Sequence, residues 1–321
     1  MPFFYQRIFK GSAGQEGLAG FKFGRIFTFV LMPDMEKTSV KAVYQQILNR
    51  LQSAVGAEEA SPQAYWLLEG LFGKKRMDVI MDAPLQLVPE AKEQLEDVLR
   101  RLEKGEPIQY VLGEAPFYGR SFKVNRAVLI PRPETEELVQ LICGQYGSKQ
   151  DLKLLDIGTG SGCIATTLAL ELPGPKVYAI DVSADALLLA EENARRLGAE
   201  AEFIECNILE DYPTTLPSLD IIVSNPPYVM RKEASLMKAN VLDWEPAVAL
   251  FVEDEDPLLF YRCIACLARK QLKKGGRLYF EINESCGKEV VEMLEKQGFS
   301  DIAIHQDLQG KPRMVEARWR E

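Results

Sequence analysis

Short apolar strands alternate with helical segments along the second half of the chain, from Leu152 to the C-terminus. Strands are predicted over 154–157, 177–180, 201–204, 221–223 and 277–282, and helices over 136–146, 162–172, 184–197, 257–272 and 287–297. This alternation predicts an α/β fold with a mostly parallel sheet, because two parallel strands need a crossover to connect them. The final segments, 302–305 and 313–319, are predicted to form an antiparallel pair. Ligands of such sheets bind beyond the carboxyl ends of the strands.

A glycine-rich segment, Gly158-Thr159-Gly160-Ser161-Gly162, connects the first of these strands to its helix. Glycines allow the backbone to approach a ligand closely, and the start of a helix offers free N–H groups. Asp181 ends the second strand, at the position of an acid that binds a ribose, although an acid at a helix N-terminus is the simpler alternative. Together they predict a site for an adenosine-containing cofactor. They do not separate NAD from S-adenosylmethionine, because the loop also satisfies the dinucleotide pattern.

The fourth strand is followed by Asn225-Pro226-Pro227-Tyr228. The two prolines remove two backbone donors and keep their carbonyl oxygens. Asn225 adds a side-chain acceptor, and Tyr228 adds a planar apolar face. Such a turn suits a flat group that carries NH₂, either a carboxamide or the exocyclic amine of a base. A proline turn that only ends the strand is the alternative interpretation.

The acceptors of this turn favour methyl transfer to nitrogen over hydride transfer. An amide nitrogen is a poor nucleophile because its lone pair is delocalised. The Asn225 side-chain oxygen and the Pro226 carbonyl can hold both N–H bonds and so favour a pyramidal transition state. No dedicated base is then needed, and His305 is the only histidine of the chain. The alternative of another class is an NAD-dependent oxidoreductase or a non-catalytic nucleotide-binding module.

Charge and cysteine content limit the remaining function classes. The net charge of −9 argues against nucleic acid as the direct partner, since phosphate binding usually leaves a basic surface. Scattered cysteines predict buried, reduced thiols in a cytoplasmic protein. No metal site is expected, because Cys263 and Cys266 lie within one predicted helix without a second pair. No apolar run is long enough to span a membrane.

The first third of the chain has a different organisation. Residues 36–106 predict a small helical domain, in which apolar residues recur every three or four positions and Ser61-Pro62 begins a second helix. Between 107 and 131 the period changes to two and predicts a β-hairpin linker between the domains. The strand residues expected there are Phe117, Phe122, Val124, Val128 and Ile130. Residues 1–35 are expected to be a poorly ordered extension upstream of a start at Met32 or Met35, with a surface arm as the alternative.

The chain resembles the PrmC/HemK family of protein-(glutamine-N5) methyltransferases from about residue 44 to residue 319. The segments that carry the resemblance are 106–113 (EPIQYVLG), Phe117, 130–136 (IPRPETE), the glycine loop, Asn225 to Tyr228, and 244–246 (WEP). Asn-Pro-Pro-Tyr alone is shared with DNA adenine methyltransferases. The Pro-Arg-Pro-Glu-Thr-Glu run is more selective, because enzymes that act on a ribosomal-protein glutamine tend to have Pro-Arg-Ser-Pro there.

This resemblance implies a Rossmann-like class I methyltransferase domain over 132–321, with S-adenosyl-L-methionine as cofactor. The implied reaction is methylation of the glutamine N5 in the Gly-Gly-Gln motif of class I peptide chain release factors, which would dock partly on the helical domain. A ribosomal-protein glutamine and a nucleic-acid adenine amine are the alternative substrates. The residues implied in the site are Gly158, Thr159, Gly160, Ser161 and Gly162 for the methionine part, Asp181 for the ribose, Asn207 and Ile208 near the adenine, Asn225 beside both ligands, Pro226, Pro227 and Tyr228 for the amide, and Phe117 in the pocket lining. Asn207-Ile208 departs from the Asp-Trp that relatives often have.

Overall fold

The computed structural model describes residues 36–213 and 215–320. The predicted extension over residues 1–35 therefore lies outside the described residues. Within them, no helix combines the length and the apolar character that a membrane crossing needs.

The first part of the described chain is mainly helical and has its own core. Its elements are β1 (Glu36–Ser39), α1 (Val40–Val55), α2 (Ala57–Phe72), α3 (Arg76–Ile80), β2 (Pro84–Leu87), α4 (Pro89–Glu103) and α5 (Ile108–Leu112). Ser39 caps α1 by accepting a hydrogen bond from the backbone of Ala42, which satisfies one of the free N–H groups of the helix start. The apolar residues of α1, α2 and α4 pack together in one cluster, as their periodicity predicts.

Two features of this part differ from the prediction. The second helix begins at Ala57 and not at Ser61, so Pro62 lies inside α2. Glu58 and Glu59 occupy the first turn, where carboxylates stabilise the positive end of a helix, and the Ser61 hydroxyl lies 3.0 Å from the Tyr44 hydroxyl. The second difference is an antiparallel pair, β1 with β2, that brackets three helices and that the helical periodicity did not indicate.

A hairpin joins this part to the sheet, as predicted, but it is shorter than expected. Its strands are β3 (Glu114–Phe117) and β4 (Arg120–Lys123). Val124, Val128 and Ile130 are buried but belong to neither strand. Their period of two therefore arose from an irregular segment that packs against the protein, not from a longer strand.

The second part contains the predicted α/β sheet. Its elements are α6 (Pro133–Tyr146), β5 (Lys153–Ile157), α7 (Cys163–Glu171), β6 (Lys176–Asp181), α8 (Ala184–Leu197), β7 (Glu202–Glu205), β8 (Leu219–Ser224), β9 (Val229–Met230), a 3₁₀-helix (Arg231–Leu236), α9 (Ala239–Trp244), α10 (Ala247–Leu250), β10 (Phe251–Val252), α11 (Leu259–Gln271), β11 (Leu272–Glu281), α12 (Gly287–Lys296), β12 (Phe299–Gln306) and β13 (Pro312–Trp319). The predicted strands and helices are all present, within a few residues of the expected ends. The small parallel pair β9–β10 and the short helices after Met230 were not predicted.

The seven-stranded sheet has the order β12-β13-β11-β8-β5-β6-β7. Strands β11, β8, β5, β6 and β7 are parallel, and β13 is antiparallel to both of its neighbours. The chain runs outward from β5 to β7 and then returns to β8, on the other side of β5. Such a reversal of strand order creates a crevice at the carboxyl ends, where ligands of open α/β sheets bind.

Strand register places the two predicted ligand segments side by side. In the pairing of β5 with β8, Ile157 lies opposite Ser224, so the segments that begin at Gly158 and Asn225 leave the sheet next to each other. On the other side of β8, Ser224 lies opposite Phe280, which brings Glu281 beside Asn225. Cores on both faces of the sheet hold these strands in place.

Candidate active site

A pocket opens at the carboxyl ends of β5, β6 and β8. Of the residues predicted for the site, its lining includes Gly158, Thr159, Gly160, Ser161, Asp181, Asn207, Ile208, Asn225, Pro226 and Pro227. Segments 127–129 and 131–132 line it from the side of the hairpin, and Val248 and Ala249 from α10. Residues from these six separate parts of the sequence therefore meet at the reversal of the sheet.

The glycine loop has a backbone that requires glycine at three positions. Gly158, Gly160 and Gly162 have φ angles of +73°, +54° and +76°, in the left-handed region that favours glycine. At Gly162 space is also limiting, because an added Cβ would lie 2.9 Å from the Cβ of Ala190 in α8. The third glycine thus lets the loop pack against a helix, while the first two shape its ligand side.

Asp181, at the end of the neighbouring strand β6, stabilises this loop by hydrogen bonding. One carboxylate oxygen accepts a hydrogen bond from the Gly160 backbone (2.8 Å), and the other accepts one from the Ser183 backbone (2.9 Å). Ser183 in turn caps α8. The carboxylate therefore lies in the pocket lining and is held by backbone amides in a single orientation.

A second carboxylate, Asp156, lies beneath the loop and was missed by the sequence analysis. It is fully buried and accepts hydrogen bonds from the Thr159 hydroxyl (2.7 Å) and the Ala165 backbone (3.2 Å) through the same oxygen. Its other oxygen and the hydroxyl of Ser161 have no partner among the described residues. Burial raises the pKa of Asp156 to about 7. Its position as the penultimate residue of β5 was the available signal.

Asn207 and Ile208 lie on the far side of the pocket, in the turn after β7. The Asn207 side-chain oxygen accepts a hydrogen bond from the backbone N–H of Leu209 (3.1 Å), which fixes the turn. The side-chain amino group of Asn207 is then the group that can donate to a ligand. Ile208, Leu209 and Phe260 make this end of the pocket apolar. The region can therefore hold a flat apolar ring with polar edges.

Asn225 takes part in a hydrogen-bond chain that the sequence analysis did not predict. Its side-chain amino group donates to the Thr135 hydroxyl (3.1 Å), and Thr135 donates to Oε2 of Glu281 (2.6 Å). The Tyr228 hydroxyl donates to Oε1 of the same carboxylate (3.0 Å). Thr135 lies in the Pro-Arg-Pro-Glu-Thr-Glu run, and Glu281 lies at the carboxyl end of a predicted strand, so both had weak sequence signals.

The structure places two predicted substrate residues away from the pocket lining. Tyr228 is half-buried and lies behind the turn, where its hydroxyl contacts Glu281 and its carbonyl accepts the side-chain amino group of Asn283. Phe117 is completely buried and packs edge-on against Phe122, with ring centroids 5.8 Å apart. The prediction that Phe117 lines the pocket is therefore corrected: the alternation of β3 turns Ala115 and Phe117 into the core beneath the hairpin.

Glu245 ties the two segments that border the pocket mouth. Its side chain is only 1% exposed, and it accepts hydrogen bonds from the Ile130 backbone (3.1 Å) and the Arg132 guanidinium (2.6 Å). The guanidinium of Arg126 lies 3.9 Å from the ring centroid of Trp244, the preceding residue. Through these contacts the Trp-Glu-Pro segment, which precedes α10, holds residues 126–132 in place.

The cysteines are all free thiols, but not all are buried. Cys163 and Cys286 are buried, whereas Cys266 is exposed on α11, which corrects that part of the prediction. Within residues 36–213 and 215–320, no group of acidic, histidine and cysteine side chains is arranged to hold a metal ion.

Comparison with known proteins assigns both parts of the chain. Residues 42–113 match the family model described as PrmC N-terminal domain, and residues 148–311 match a methyltransferase domain. The release factor glutamine methyltransferase of Flavobacterium psychrophilum is 46% identical over 88% of this chain and 99% of its own length. That of Bacteroides thetaiotaomicron is 45% identical over 84% of this chain and 97% of its own length. The chain therefore belongs to the family of release factor glutamine methyltransferases.

Proposed function

We propose that this protein transfers a methyl group from S-adenosyl-L-methionine to the side-chain N5 of the glutamine in the Gly-Gly-Gln motif of class I peptide chain release factors. The observation that carries the proposal is the orientation of Asn225. Its amino group is engaged by Thr135, so its oxygen remains available, and no described residue donates to it. The Pro226 carbonyl is a second acceptor in the same turn, with no hydrogen-bond partner among the described residues.

The pocket fits S-adenosyl-L-methionine on its chemistry. Asp181 offers a carboxylate to the ribose hydroxyls, and the glycine loop allows the methionine part to approach the backbone closely. Ile208 and Phe260 offer an apolar surface to the adenine, with the Asn207 amino group at its edge. Beneath the loop, one oxygen of the buried Asp156 carboxyl and the Ser161 hydroxyl have no partner among the described residues, so this region keeps polar groups that are not yet satisfied.

When bound, S-adenosyl-L-methionine supplies a methyl carbon whose bond to a sulfonium sulfur breaks, with the electron pair remaining on sulfur. Asn225 and Pro226 would accept the two N–H bonds of the glutamine amide and so hold its nitrogen in the pocket. The contacts strengthen as the nitrogen becomes pyramidal and positively charged, so they stabilise the transition state more than the planar amide. After the nitrogen–carbon bond has formed, the positively charged nitrogen would release one of its two protons to water and become a neutral secondary amide.

The division of the chain supports the same proposal. Residues 36–106 form the recognition domain for the release factor, residues 107–131 the linker, and residues 132–321 the methyltransferase domain. A core separate from that of the sheet and a match to the PrmC N-terminal domain support this division. Release factors act on the ribosome, so the proposed location is the cytoplasm.

The test is incubation of the protein with methyl-labelled S-adenosyl-L-methionine and a purified class I release factor. We expect one methyl group on the glutamine of the Gly-Gly-Gln motif, located by mass spectrometry of the peptide. Ribosomal proteins and DNA serve as parallel substrates. Label on a ribosomal-protein glutamine, or on an adenine in a salt-sensitive reaction, would replace the proposal with the corresponding alternative.

A further inference from the structure

A buried carboxylate controls the direction of the hydrogen bonds that end at Asn225. Glu281 is 1% exposed, and its two oxygens accept from different hydroxyls, those of Thr135 and Tyr228. A threonine hydroxyl has one proton. Because Thr135 donates that proton to Glu281, it can only accept from Asn225, and it therefore turns the amino group of Asn225 toward itself and the amide oxygen toward the substrate.

This orientation matters because glutamine and glutamate have the same shape. The glutamine side chain presents an NH₂ group where glutamate presents an oxygen, so an acceptor binds the first and repels the second. If Asn225 were turned around, it would present an amino group and bind the carboxylate. The direction of one hydrogen-bond chain therefore decides which of the two side chains fits.

We propose that Thr135 and Glu281 are positioning residues that make the site selective for a carboxamide over a carboxylate, by holding the Asn225 oxygen toward the substrate. This inference rests on the proposed function, because it concerns the same amide pocket. Neither residue contacts the reacting atoms; both act through Asn225. Tyr228 donates a hydrogen bond to the other oxygen of Glu281 and so holds the carboxylate in this orientation.

The ionisation of Glu281 is part of the arrangement. Groups on several elements face it: Thr135 and Glu134 from α6, Tyr228 from the turn, and Arg313 from β13. From α11, the Tyr261 hydroxyl donates to its backbone carbonyl. Burial raises the pKa of Glu281, while the two hydroxyls and the charge of Arg313 oppose that rise.

Protonation of Glu281 reverses the chain. A protonated carboxyl donates to Thr135, so the Thr135 proton then points toward Asn225. The Asn225 amide turns until its oxygen accepts that proton, and its amino group then faces the substrate. Turnover should therefore fall as the pH decreases through the pKa of Glu281, which lies above the usual range of a glutamate because of burial.

The experiment compares Thr135→Val, which has the same shape without the hydroxyl, with Thr135→Ser, which keeps the hydroxyl. The substrate is the release factor, and the competitor is the same release factor with glutamate in place of the glutamine of its Gly-Gly-Gln motif. For Thr135→Val we expect kcat to fall about tenfold or more and the ratio of competitor Ki to substrate KM to fall by a similar factor, with affinity for S-adenosylhomocysteine unchanged. Thr135→Ser should recover most of both losses.

A second variant, Glu281→Gln, tests the role of ionisation independently. Its amide does not titrate, so the decline of kcat at low pH that the wild type shows should disappear, even if the maximum is lower. Persistence of that decline would overturn the role of Glu281. The role of the Thr135 hydroxyl would be overturned if Thr135→Val kept the selectivity and kcat of the wild type. Equal losses in Thr135→Val and Thr135→Ser would overturn it as well. Failure of the wild type to label the release factor would instead refute the proposed function.

Discussion

Single polar side chains at the ends of strands are the groups that we propose for the chemistry of this site. Asn225 follows Ser224, which is fully buried and whose hydroxyl donates to the Ile157 carbonyl of the neighbouring strand (2.7 Å). The backbone at the turn is thus fixed by the sheet, and the side chain of Asn225 is fixed by Thr135. Because both are held before a substrate binds, little reorganisation is needed during the reaction.

Replacing Asn225 with alanine removes one of the two acceptors proposed for the amide. We expect turnover to fall by roughly 2–4 kcal/mol in transition-state stabilisation, by analogy with the loss of one oxyanion-hole donor. The affinity for S-adenosylhomocysteine should stay within a few fold, since the loop and Asp181 are the residues proposed to hold the cofactor. Single-turnover kinetics with calorimetric binding would measure both. An unchanged turnover would contradict the proposed role of Asn225.

Asp156 predicts a pH dependence of stability with a definite sign. Its pKa is about 7 in the folded protein and about 4 when unfolded, so the folded state binds the proton more tightly. The contribution of Asp156 to stability should therefore be greatest below about pH 4 and should be lost as the pH rises through about 7, by at most roughly 4 kcal/mol.

The measurement is urea unfolding between pH 4 and pH 8 for the wild type and for Asp156→Asn. The variant lacks this titration. As the pH rises, the unfolding free energy of the wild type should therefore decrease relative to that of Asp156→Asn. Other carboxyl groups titrate in both proteins and cancel in the difference. Parallel profiles would show that Asp156 has an ordinary pKa.

At the scale of secondary-structure elements, the pocket mouth depends on a contact between segments far apart in the sequence. Residues 127–132 follow the hairpin, whereas Glu245 lies between α9 and α10. Glu245 joins its own segment to residues 127–132 through the Ile130 backbone and Arg132, and residues 127–132 and α10 both line the pocket. The pocket wall is therefore stabilised by a buried carboxylate with two partners.

Removal of the Glu245 side chain should destabilise both the fold and the pocket. Glu245→Ala leaves a buried backbone N–H unpaired and Arg132 without its partner. Breaking a buried pair costs about 3–5 kcal/mol, and the partial exposure of Arg132 places this pair toward the lower end. Glu245→Gln keeps an acceptor for Ile130 and is the matched control, which should lose clearly less. Urea unfolding measures the loss, and equal effects of both variants would show that the charge alone matters.

At the scale of the whole molecule, the helical part is connected to the pocket by more than the chain itself. Lys238, in front of α9, forms an ion pair with Glu59 of α2. Trp244 lies close to Gly105, at the end of the helical part. The segment that follows the Asn225 turn thus contacts the helical part at Glu59 and at Gly105. These two contacts connect the helical part with the segment that leads to α10 beside the pocket.

Ligand binding should stabilise the whole protein if the pocket is a cofactor site. S-adenosylhomocysteine at a hundred times its Kd should add about 2.7 kcal/mol to the unfolding free energy, because it binds only the folded state. NAD at the same concentration should add nothing measurable. Thermal unfolding with each compound tests this. Stabilisation by NAD alone would favour the nucleotide-binding alternative over methyl transfer.

Local patterns in the sequence were sufficient for much of the fold. The buried runs such as Ile221 to Val223 and the glycine loop predicted the parallel sheet, and the structure confirms its strands and its antiparallel end. The errors arose where tertiary contacts override local preference. Pro62 is accommodated inside a helix whose start is stabilised by two earlier glutamates, and Val128 is buried without a strand partner.

The sequence by itself determined the order of strands and helices, the glycine loop and the acceptor turn, because these depend on residues close together in the chain. Only the tertiary structure decided that Thr135 and Glu281, 146 residues apart, share a hydrogen bond that orients Asn225. It also decided that Phe117 points into the core and that Glu245 hydrogen-bonds to Ile130 and Arg132 at the pocket mouth. These contacts depend on strand register and on packing between distant segments, and local periodicity carries no information about either.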